Sequence, residues 1–199
     1  MDEAGSSVTP LILASRSPQR AAILEQLGIQ FEQLPQDIEE LERIPSTAKA
    51  AAGSAAGSVV LENARRKALA AQVDGLVLGV DTEVLLGDEL LGKARGQDEA
   101  DAFLRRLSGR AHLVLSGLVL LDRDGERSGV ERTVVTFRQV DERMRRWYLG
   151  TGEWRDRAGA YAIQGRGAAL VERIDGDIWN VVGLPVPLLL RLAPELVGT

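Results

Sequence analysis

The sequence predicts an α/β fold built on a mixed β-sheet flanked by helices, and two features of the pattern support this. Short apolar runs and amphipathic segments alternate over the first hundred residues, which is typical of strand–helix–strand units. A long antiparallel hairpin follows, because two strand-like segments flank the Asp-Gly turn at Asp124-Gly125. We therefore expect parallel and antiparallel pairs in one sheet.

The chain begins as a strand, a tight turn and a helix. Leu11–Ala14 has the short apolar pattern of a buried strand. Ser17 can cap the following helix, Pro18 fits its first position, and Gly28 suits its C-terminal cap. A second strand is expected over Gln30–Leu34.

The next segment is expected to hold one longer helix and the most informative strand. Residues 46–58 are rich in Ala, Gly and Ser, and we interpret them as a flexible connection or the frayed start of a helix over Val59–Ala71. The apolar run Leu76–Val80 predicts a strand buried on both faces. This strand is expected to end at Asp81, and the chain then returns in a hairpin around Gly87.

Caps, turns and apolar runs predict the remaining elements. Trp147 and Tyr148 are placed on the apolar side of a helix that Asp141 caps. The expected helices are 98–107 (capped by Asp98), 141–149 and 187–192, and the expected strands are 112–121, 131–140, 168–174 and 179–182.

The composition favours a single cytoplasmic domain. At 199 residues, the chain fits one domain over 11–199 behind a flexible start at 1–10. It has no cysteine, no apolar run of the roughly 18 residues that span a bilayer, and a start unlike a signal peptide. The net charge of −5 argues against stable nucleic-acid binding, which needs a basic face.

Asp81 is the leading candidate for chemistry. A carboxylate at the end of a buried strand has no packing role, and ligands of open α/β sheets gather at strand ends. The alternative is an aspartate that caps a helix or turn. The residues that follow, Glu83–Leu86, do not resemble a helix start, which favours a catalytic role.

Basic and hydroxyl groups suggest a phosphate site at the first helix. Arg20 lies in its first turn, where exposed N–H groups and the helix dipole favour an anion, and Ser15 and Ser17 add hydroxyls. A capped helix with a solvated arginine is the equal alternative. Lys67 and Lys93 are the other cationic candidates.

Gly87–Lys93 has the glycine and lysine spacing of a P-loop. Ala94 replaces the hydroxyl residue that would bind Mg²⁺, and the segment has the pattern of a hairpin rather than of a loop entering a helix. We interpret the match as accidental.

The acidic segment Asp37–Glu40 supplies carboxylates that could bind a divalent cation together with Asp81. Such cations commonly bridge carboxylates to substrate phosphates. Without one, a polyphosphate near Asp81 would be repelled by about 4 kcal/mol for charges ~4 Å apart at an effective dielectric of ~20. The alternative is a solvated run of charges.

Other conspicuous residues are expected to be structural. The single histidine, His112, lacks neighbours with zinc-ligand spacing. A solvated helix face is expected for Arg143, Arg145 and Arg146, and the core or its rim for Trp154 and Trp179.

Eight short motifs follow one another in an order that is characteristic of a single family. They are Leu13–Arg20, Asp37–Glu40, Arg66–Ala68, Val80–Thr82, Gly92-Lys93, Leu107–His112, Ala158–Gly165 and Asn180–Pro185. With them the chain resembles the Maf family of nucleoside triphosphate pyrophosphatases, also called septum-formation-inhibitor-type proteins, from Leu11 to about Leu192.

The resemblance implies a two-lobed fold similar to inosine triphosphatase, with a cleft across an elongated mixed sheet. It implies hydrolysis of a nucleoside triphosphate between the α and β phosphates, a divalent cation (Mg²⁺ or Mn²⁺), and often a homodimer. It places the catalytic base on Asp81, the metal on Asp81 and Glu40, and substrate contacts on Ser15, Arg20, Lys67 and Lys93.

Three positions of the family read the base, and they fall on Gln19, Thr82 and Gln164. Thr82 and Gln164 match the branch that acts on dTTP and UTP, whereas Gln19 replaces that branch's usual arginine. Arg157 replaces a lysine that is common in the family, and Ala94 replaces a common proline.

Three alternative functions can be distinguished from this one by experiment. A non-catalytic nucleotide-binding regulator of cell division would bind without releasing pyrophosphate. A member of the 7-methyl-GTP branch would prefer that nucleotide, and a P-loop phosphotransferase would release the γ-phosphate.

Overall fold

The computed structural model describes residues 10–41 and 52–197. The strands are β1 (Leu11–Leu13), β2 (Phe31–Gln33), β3 (Val77–Leu86), β4 (Glu89–Leu91), β5 (Ala111–Asp122), β6 (Gly125–Phe137) and β7 (Val171–Asp175). The α-helices are α1 (Pro18–Gln26), α2 (Ala52–Ala70), α3 (Gln97–Leu107), α4 (Glu142–Leu149), α5 (Ile178–Val182) and α6 (Val186–Leu192). Within these ranges, every helix is too short or too polar to cross a membrane.

All seven strands belong to one mixed sheet, as predicted. The strand order is β2-β1-β3-β5-β6-β7, and β4 pairs with β3. β1 is parallel to β2 and β3, whereas β3, β5, β6 and β7 pair antiparallel. The parallel pairs come from the strand–helix alternation, and the antiparallel pairs come from the hairpins.

One edge of β3 is open in its middle. β1 pairs with β3 only at Val77 and Leu78, and β4 pairs with it only from Val84 onward. Asp81 lies in this gap, so the prediction that the strand ends at Asp81 is wrong. The strand continues because β5 pairs with it as far as Leu85. It is the parallel neighbour β1 that ends here, and its end opens the edge at Asp81.

Helix α2 lies unusually close to the sheet. A Cβ atom on Gly117 of β5 would overlap the backbone of Val60, and one on Gly79 of β3 would overlap the carbonyl oxygen of Ala64. Only glycine permits this approach. The helix therefore holds Asn63 and Lys67 directly over the gap in β3.

The apolar core divides into two larger clusters at opposite ends of the long strands. Leu78 and Val80 pack with β1, α1 and α6, whereas Val84 packs with α3, α4 and Tyr161. The polar segment of β3 lies at the boundary between these clusters. This division is the two-lobed arrangement that the family resemblance implies.

Several predicted boundaries and caps are confirmed. Ser17 caps α1 by accepting from the backbone N–H of Arg20, and Asp141 caps α4 by accepting from Met144. Gly28 has the positive φ of a C-terminal cap. Gly87 turns between β3 and β4, so the P-loop match is accidental as expected.

Other local predictions are wrong. Residues 178–182 form a helix, α5, because Asp177 caps it, and the β-branched run there had suggested a strand. The strand predicted from 168 begins at Val171, after a 3₁₀ turn. The N-cap of α3 is Gly96 rather than Asp98. Trp147, which was placed on the apolar side of its helix, is 48% exposed.

The low-complexity segment 46–58 is helical in its second part. Helix α2 begins at Ala52, and the rest of that segment, like residues 1–9, lies outside the described residues.

Candidate active site

A cavity of about 640 Å³ lies at the open edge of β3, within the usual size of small-molecule sites. Its lining comes from the turn between β1 and α1, the acidic loop, the middle of β3, Lys93, the loop 155–158, Tyr161 and the turn after α5. The cavity therefore draws on both core clusters. It gathers most of the residues that the sequence nominated, from Ser15, Gln19 and Arg20 to Glu40, Lys67, Asp81, Thr82 and Lys93.

Both carboxylate oxygens of Asp81 are held by buried donors. The Nζ of Lys67 lies 2.6 Å from Oδ1, and the Nδ2 of Asn63 donates to Oδ2 at 3.0 Å. All three residues are nearly inaccessible to solvent. The two donors come from the same face of α2, one turn apart, so a single helix fixes the orientation of the carboxylate.

Lys67 also connects the acidic loop to β3. Its Nζ lies 2.6 Å from Oε1 of Glu40 as well as 2.6 Å from Oδ1 of Asp81. One ammonium thus bridges two carboxylates. Because the ammonium of Lys67 balances only one of the two carboxylate charges, the three groups together keep a net charge of −1.

Asn63 is a site residue that sequence reasoning missed. Its Oδ1 accepts from the backbone N–H of Leu41 at 2.8 Å, and its Nδ2 donates to the Leu41 carbonyl at 3.1 Å as well as to Asp81. It therefore positions the loop residue next to Glu40. Its place four residues before Lys67 on a helix is the one signal that could have revealed it.

Arg20 is buried rather than solvated, and it contacts three chain segments. Its Nε donates to the Gly183 carbonyl at 2.8 Å, and Nη1 donates to Ser15 Oγ at 2.8 Å. Nη2 donates to Thr82 Oγ1 at 3.1 Å. Burial lowers the pKa of Arg20, while the charges of Asp81 and Glu40 oppose that effect. Much of its donor capacity is thus used inside the protein.

Glu83 is a second carboxylate on the same face of β3 as Asp81. Its Oε2 is buried and has no hydrogen-bond partner among the described residues. Burial raises the pKa of Glu83 to about 8, and the negative charges of Asp81 and Glu40 add to this effect. In the sequence, the only signal for Glu83 is its place two residues after Asp81.

His112 has the structural role that was expected. Its Nε2 lies 2.9 Å from the hydroxyl oxygen of Tyr161, and its ring makes an edge contact with Phe137. Burial lowers the pKa of His112 to about 4. The imidazole is therefore neutral near pH 7 and supports the cavity wall through Tyr161.

Comparison with known proteins agrees with this geometry. A family model described as Maf-like protein matches residues 10–196. The chain belongs to the Maf family. The resemblance drawn from the eight motifs is confirmed.

Curated relatives of this Maf chain carry the same printed name. A "dTTP/UTP pyrophosphatase" of Myxococcus xanthus is 47% identical over 181 residues, covering 89% of this chain and 88% of the relative. A protein of Thermus thermophilus with that name is 44% identical, covering 94% and 95%. One of Symbiobacterium thermophilum is 44% identical, covering 88% of each.

The three positions that the family resemblance nominates for reading the base are only partly brought together. Thr82 and Gln19 line the cavity, and Thr82 Oγ1 lies 2.8 Å from Ser116 Oγ. The Oε1 of Gln19 accepts from Ser17 Oγ at 3.2 Å. Gln164 lies exposed in a turn and is not among the residues that line the cavity.

The Maf site offers a donor set that suits a hard divalent cation. Asp81, Glu40 and the unpartnered Oε2 of Glu83 are oxygen donors at the cavity, and Mg²⁺ prefers such ligands. Across residues 10–41 and 52–197, however, no three acidic, histidine or cysteine side chains form a ready cation site. Phosphate oxygens and water would have to complete the coordination shell.

Proposed function

We propose that this protein hydrolyses dTTP and UTP to the monophosphate and pyrophosphate with the help of Mg²⁺ or Mn²⁺. The observation that carries the proposal is the buried carboxylate of Asp81, held at both oxygens by Lys67 and Asn63 at the edge of the cavity. The printed names of the relatives support the choice of substrate.

In this mechanism Asp81 accepts a proton from the water that attacks the α-phosphorus. A general base of this kind must be correctly oriented, and the hydrogen bonds from Lys67 and Asn63 fix the orientation of the carboxylate. Asp81 and Glu40 would hold a divalent cation, and its positive charge would offset that of the phosphates when it is bound. Ser15 and Lys93 are proposed to contact the phosphates. The N–H groups of Arg20 that are not used inside the protein would contact them as well.

Base selection is assigned to the α1 side of the cavity. Gln19 and Thr82 both line it, so they can contact a base whose phosphates reach Asp81. Gln164 stays a prediction from the family resemblance. Gln19 cannot supply the charge of the arginine common in this branch, so recognition of the base depends more on Thr82.

The experiment is a panel of nucleoside triphosphates, including 7-methyl-GTP, with Mg²⁺ or Mn²⁺. We expect pyrophosphate from dTTP and UTP, and no product after chelation of the cation. Tight binding without product would favour the regulator, inorganic phosphate release would favour a phosphotransferase, and a preference for 7-methyl-GTP would favour the other branch.

Asp81→Asn tests the catalytic assignment directly. The amide keeps the size of the side chain but is not a base, so turnover should fall about 10²-fold or more. Turnover is measured as pyrophosphate release, and circular dichroism checks that the variant is folded. Asp98→Asn, at an exposed position on α3, is the matched control. Near-native turnover in Asp81→Asn would remove Asp81 from its role.

A further inference from the structure

Arg157 lies on the cavity wall that faces the middle of β3, in the loop 155–158. This loop is attached to the chain around Lys93. The backbone N–H of Gly159 donates to the Leu91 carbonyl at 2.7 Å, and an isolated β-bridge joins Lys93 to Ala158. The attachment places Arg157 and Lys93 on the same wall.

The loop has a constrained backbone on both sides of Arg157. Asp156 and Ala160 have φ values of 59° and 56°, which are unfavourable for residues with a side chain. Gly159 also has a positive φ, and a Cβ there would lie 2.9 Å from a methyl group of Val84. Strain of this kind persists only where the surroundings enforce it, and it concentrates at functional sites.

The side chain of Arg157 is partly buried and forms no ion pair within the described residues. Its Nε is buried and has no hydrogen-bond partner among the described residues, and no carboxylate in 10–41 or 52–197 forms an ion pair with it. Burial lowers the pKa of Arg157. A buried donor without a partner costs free energy unless a ligand accepts a hydrogen bond from it.

The other basic side chains of the cavity differ in this respect. Lys67 is bound by two carboxylates, and Arg20 donates to Ser15, Thr82 and Gly183. Arg16 lies 3.6 Å from Asp37, and Arg155 stacks over the ring of Trp154. Within the described part of the chain, Arg157 and Lys93 are the cavity cations whose side chains have no ion pair, hydrogen bond or aromatic partner.

We propose that Arg157, together with Lys93, binds the β- and γ-phosphoryl groups and stabilises the pyrophosphate that leaves. This inference rests on the proposed function. The water oxygen forms a bond to the α-phosphorus, its proton passes to Asp81, and the bond from the α-phosphorus to the bridging oxygen breaks. The electron pair of that bond stays on the pyrophosphate, whose new negative charge Arg157 and Lys93 offset.

An arginine can do this differently from the lysine that is common at this position in the family. Its Nε and one Nη can donate side by side to two oxygens of one phosphoryl group, whereas lysine contributes a single charged centre. The unpartnered Nε of Arg157 is the donor that such a bidentate contact needs. Arg157→Lys should therefore bind pyrophosphate less tightly than the wild type but more tightly than Arg157→Met.

The test measures the binding of inorganic pyrophosphate and of dTMP by calorimetry, with no turnover required. We expect Arg157→Met to weaken pyrophosphate binding at least about tenfold, with dTMP binding unchanged and Arg157→Lys intermediate. Arg143→Met, at an exposed position on α4, is the control and should bind both ligands like the wild type.

Three results would overturn the assignment. These are unchanged pyrophosphate affinity in Arg157→Met, equal weakening of both ligands, and no measurable pyrophosphate binding by the wild type. If Arg157→Met does not fold, unchanged affinity in Arg157→Lys would overturn the bidentate contact. Because binding is measured apart from hydrolysis, an inactive wild type that binds pyrophosphate through Arg157 would contradict only the proposed function.

Discussion

At the scale of single residues, the geometry of the site depends on one buried amide. Asn63 orients Asp81 and holds the backbone of Leu41 through three hydrogen bonds. Its removal leaves a carboxylate oxygen and two backbone groups without these partners. Such losses cost about 1–3 kcal/mol when the groups stay buried.

Asn63→Ala should therefore lower both stability and turnover. We expect the free energy of unfolding to fall by about 1–3 kcal/mol and kcat to fall about tenfold or more, because Asp81 loses its orientation. Urea unfolding and pyrophosphate release measure the two effects. Ser58→Ala, at an exposed position on the same helix, should change neither. A stable Asn63→Ala with native kcat would show that Lys67 alone positions Asp81.

The buried His112 should make the folded protein less stable in acid. Burial lowers its pKa from 6.5 to about 4 in the folded state, so on acidification the unfolded chain takes up the proton first. The stabilisation is complete above about pH 6.5 and is lost as the pH falls toward 4. At about 1.4 kcal/mol per pH unit, the loss approaches about 3 kcal/mol.

His112→Phe removes this titration while keeping an aromatic ring. Urea unfolding of wild type and variant at pH 7 and pH 4.5 should show that the wild type loses more stability on acidification. Both proteins carry the same carboxylates, so their contribution to the loss of stability cancels in the comparison. An equal loss in the two proteins would mean that the proton uptake has another origin.

At the scale of elements, the contact of α2 with the sheet decides where the catalytic groups lie. Gly117 faces the backbone of Val60 and Leu61, and Asn63 and Lys67 follow on the same helix. A side chain at Gly117 would push the helix away from β3. The effect would reach Asp81 through its two donors.

Gly117→Ala should thus damage both the fold and the site. We expect a loss of more than about 2 kcal/mol, typical of overpacking against backbone that cannot yield, and a fall in kcat in whatever protein remains folded. Gly53→Ala is the matched control, because nothing lies within 4 Å of its Cβ position and alanine favours a helix. Equal stability of the two variants would contradict the close contact.

At the scale of the whole molecule, the cavity lies beside the polar middle of β3, at the boundary between the two larger core clusters. A ligand that contacts both walls should stabilise the folded state. Binding at 100 times Kd contributes about 2.7 kcal/mol, which corresponds to a rise in Tm of roughly 5–10 °C for a chain of this size.

The measurement is a thermal melt with a non-hydrolysable analogue of dTTP, with and without Mg²⁺. The rise in Tm should require both the base and the triphosphate, so dTMP and inorganic pyrophosphate should each give a smaller shift. A shift of the same size with an analogue of ATP would contradict selection of the base at Gln19 and Thr82.

The sequence by itself determined the fold class and most of the nominated site. Local signals sufficed for the caps at Ser17 and Asp141, for the hairpins, and for Asp81 as an unexplained carboxylate, because each depends on residues near in sequence. The strand predicted at 179–182 failed because β-branched propensity is weak against a capping aspartate in a folded context.

Only the tertiary structure decided what those residues contact. Asn63 carried no motif, and Arg157 was noted only as a departure from the family's lysine, since their contacts arise where α2 crosses β3 and where a loop pairs with Lys93. Arg20 was expected either to bind phosphate or to be solvated, but it is buried, and its Nε donates to the carbonyl of Gly183, which is distant in sequence. Asp81 was nominated as the end of its strand, yet it is the end of β1 beside it that opens the edge. Contacts between segments far apart in sequence set these outcomes, and no local pattern encodes them.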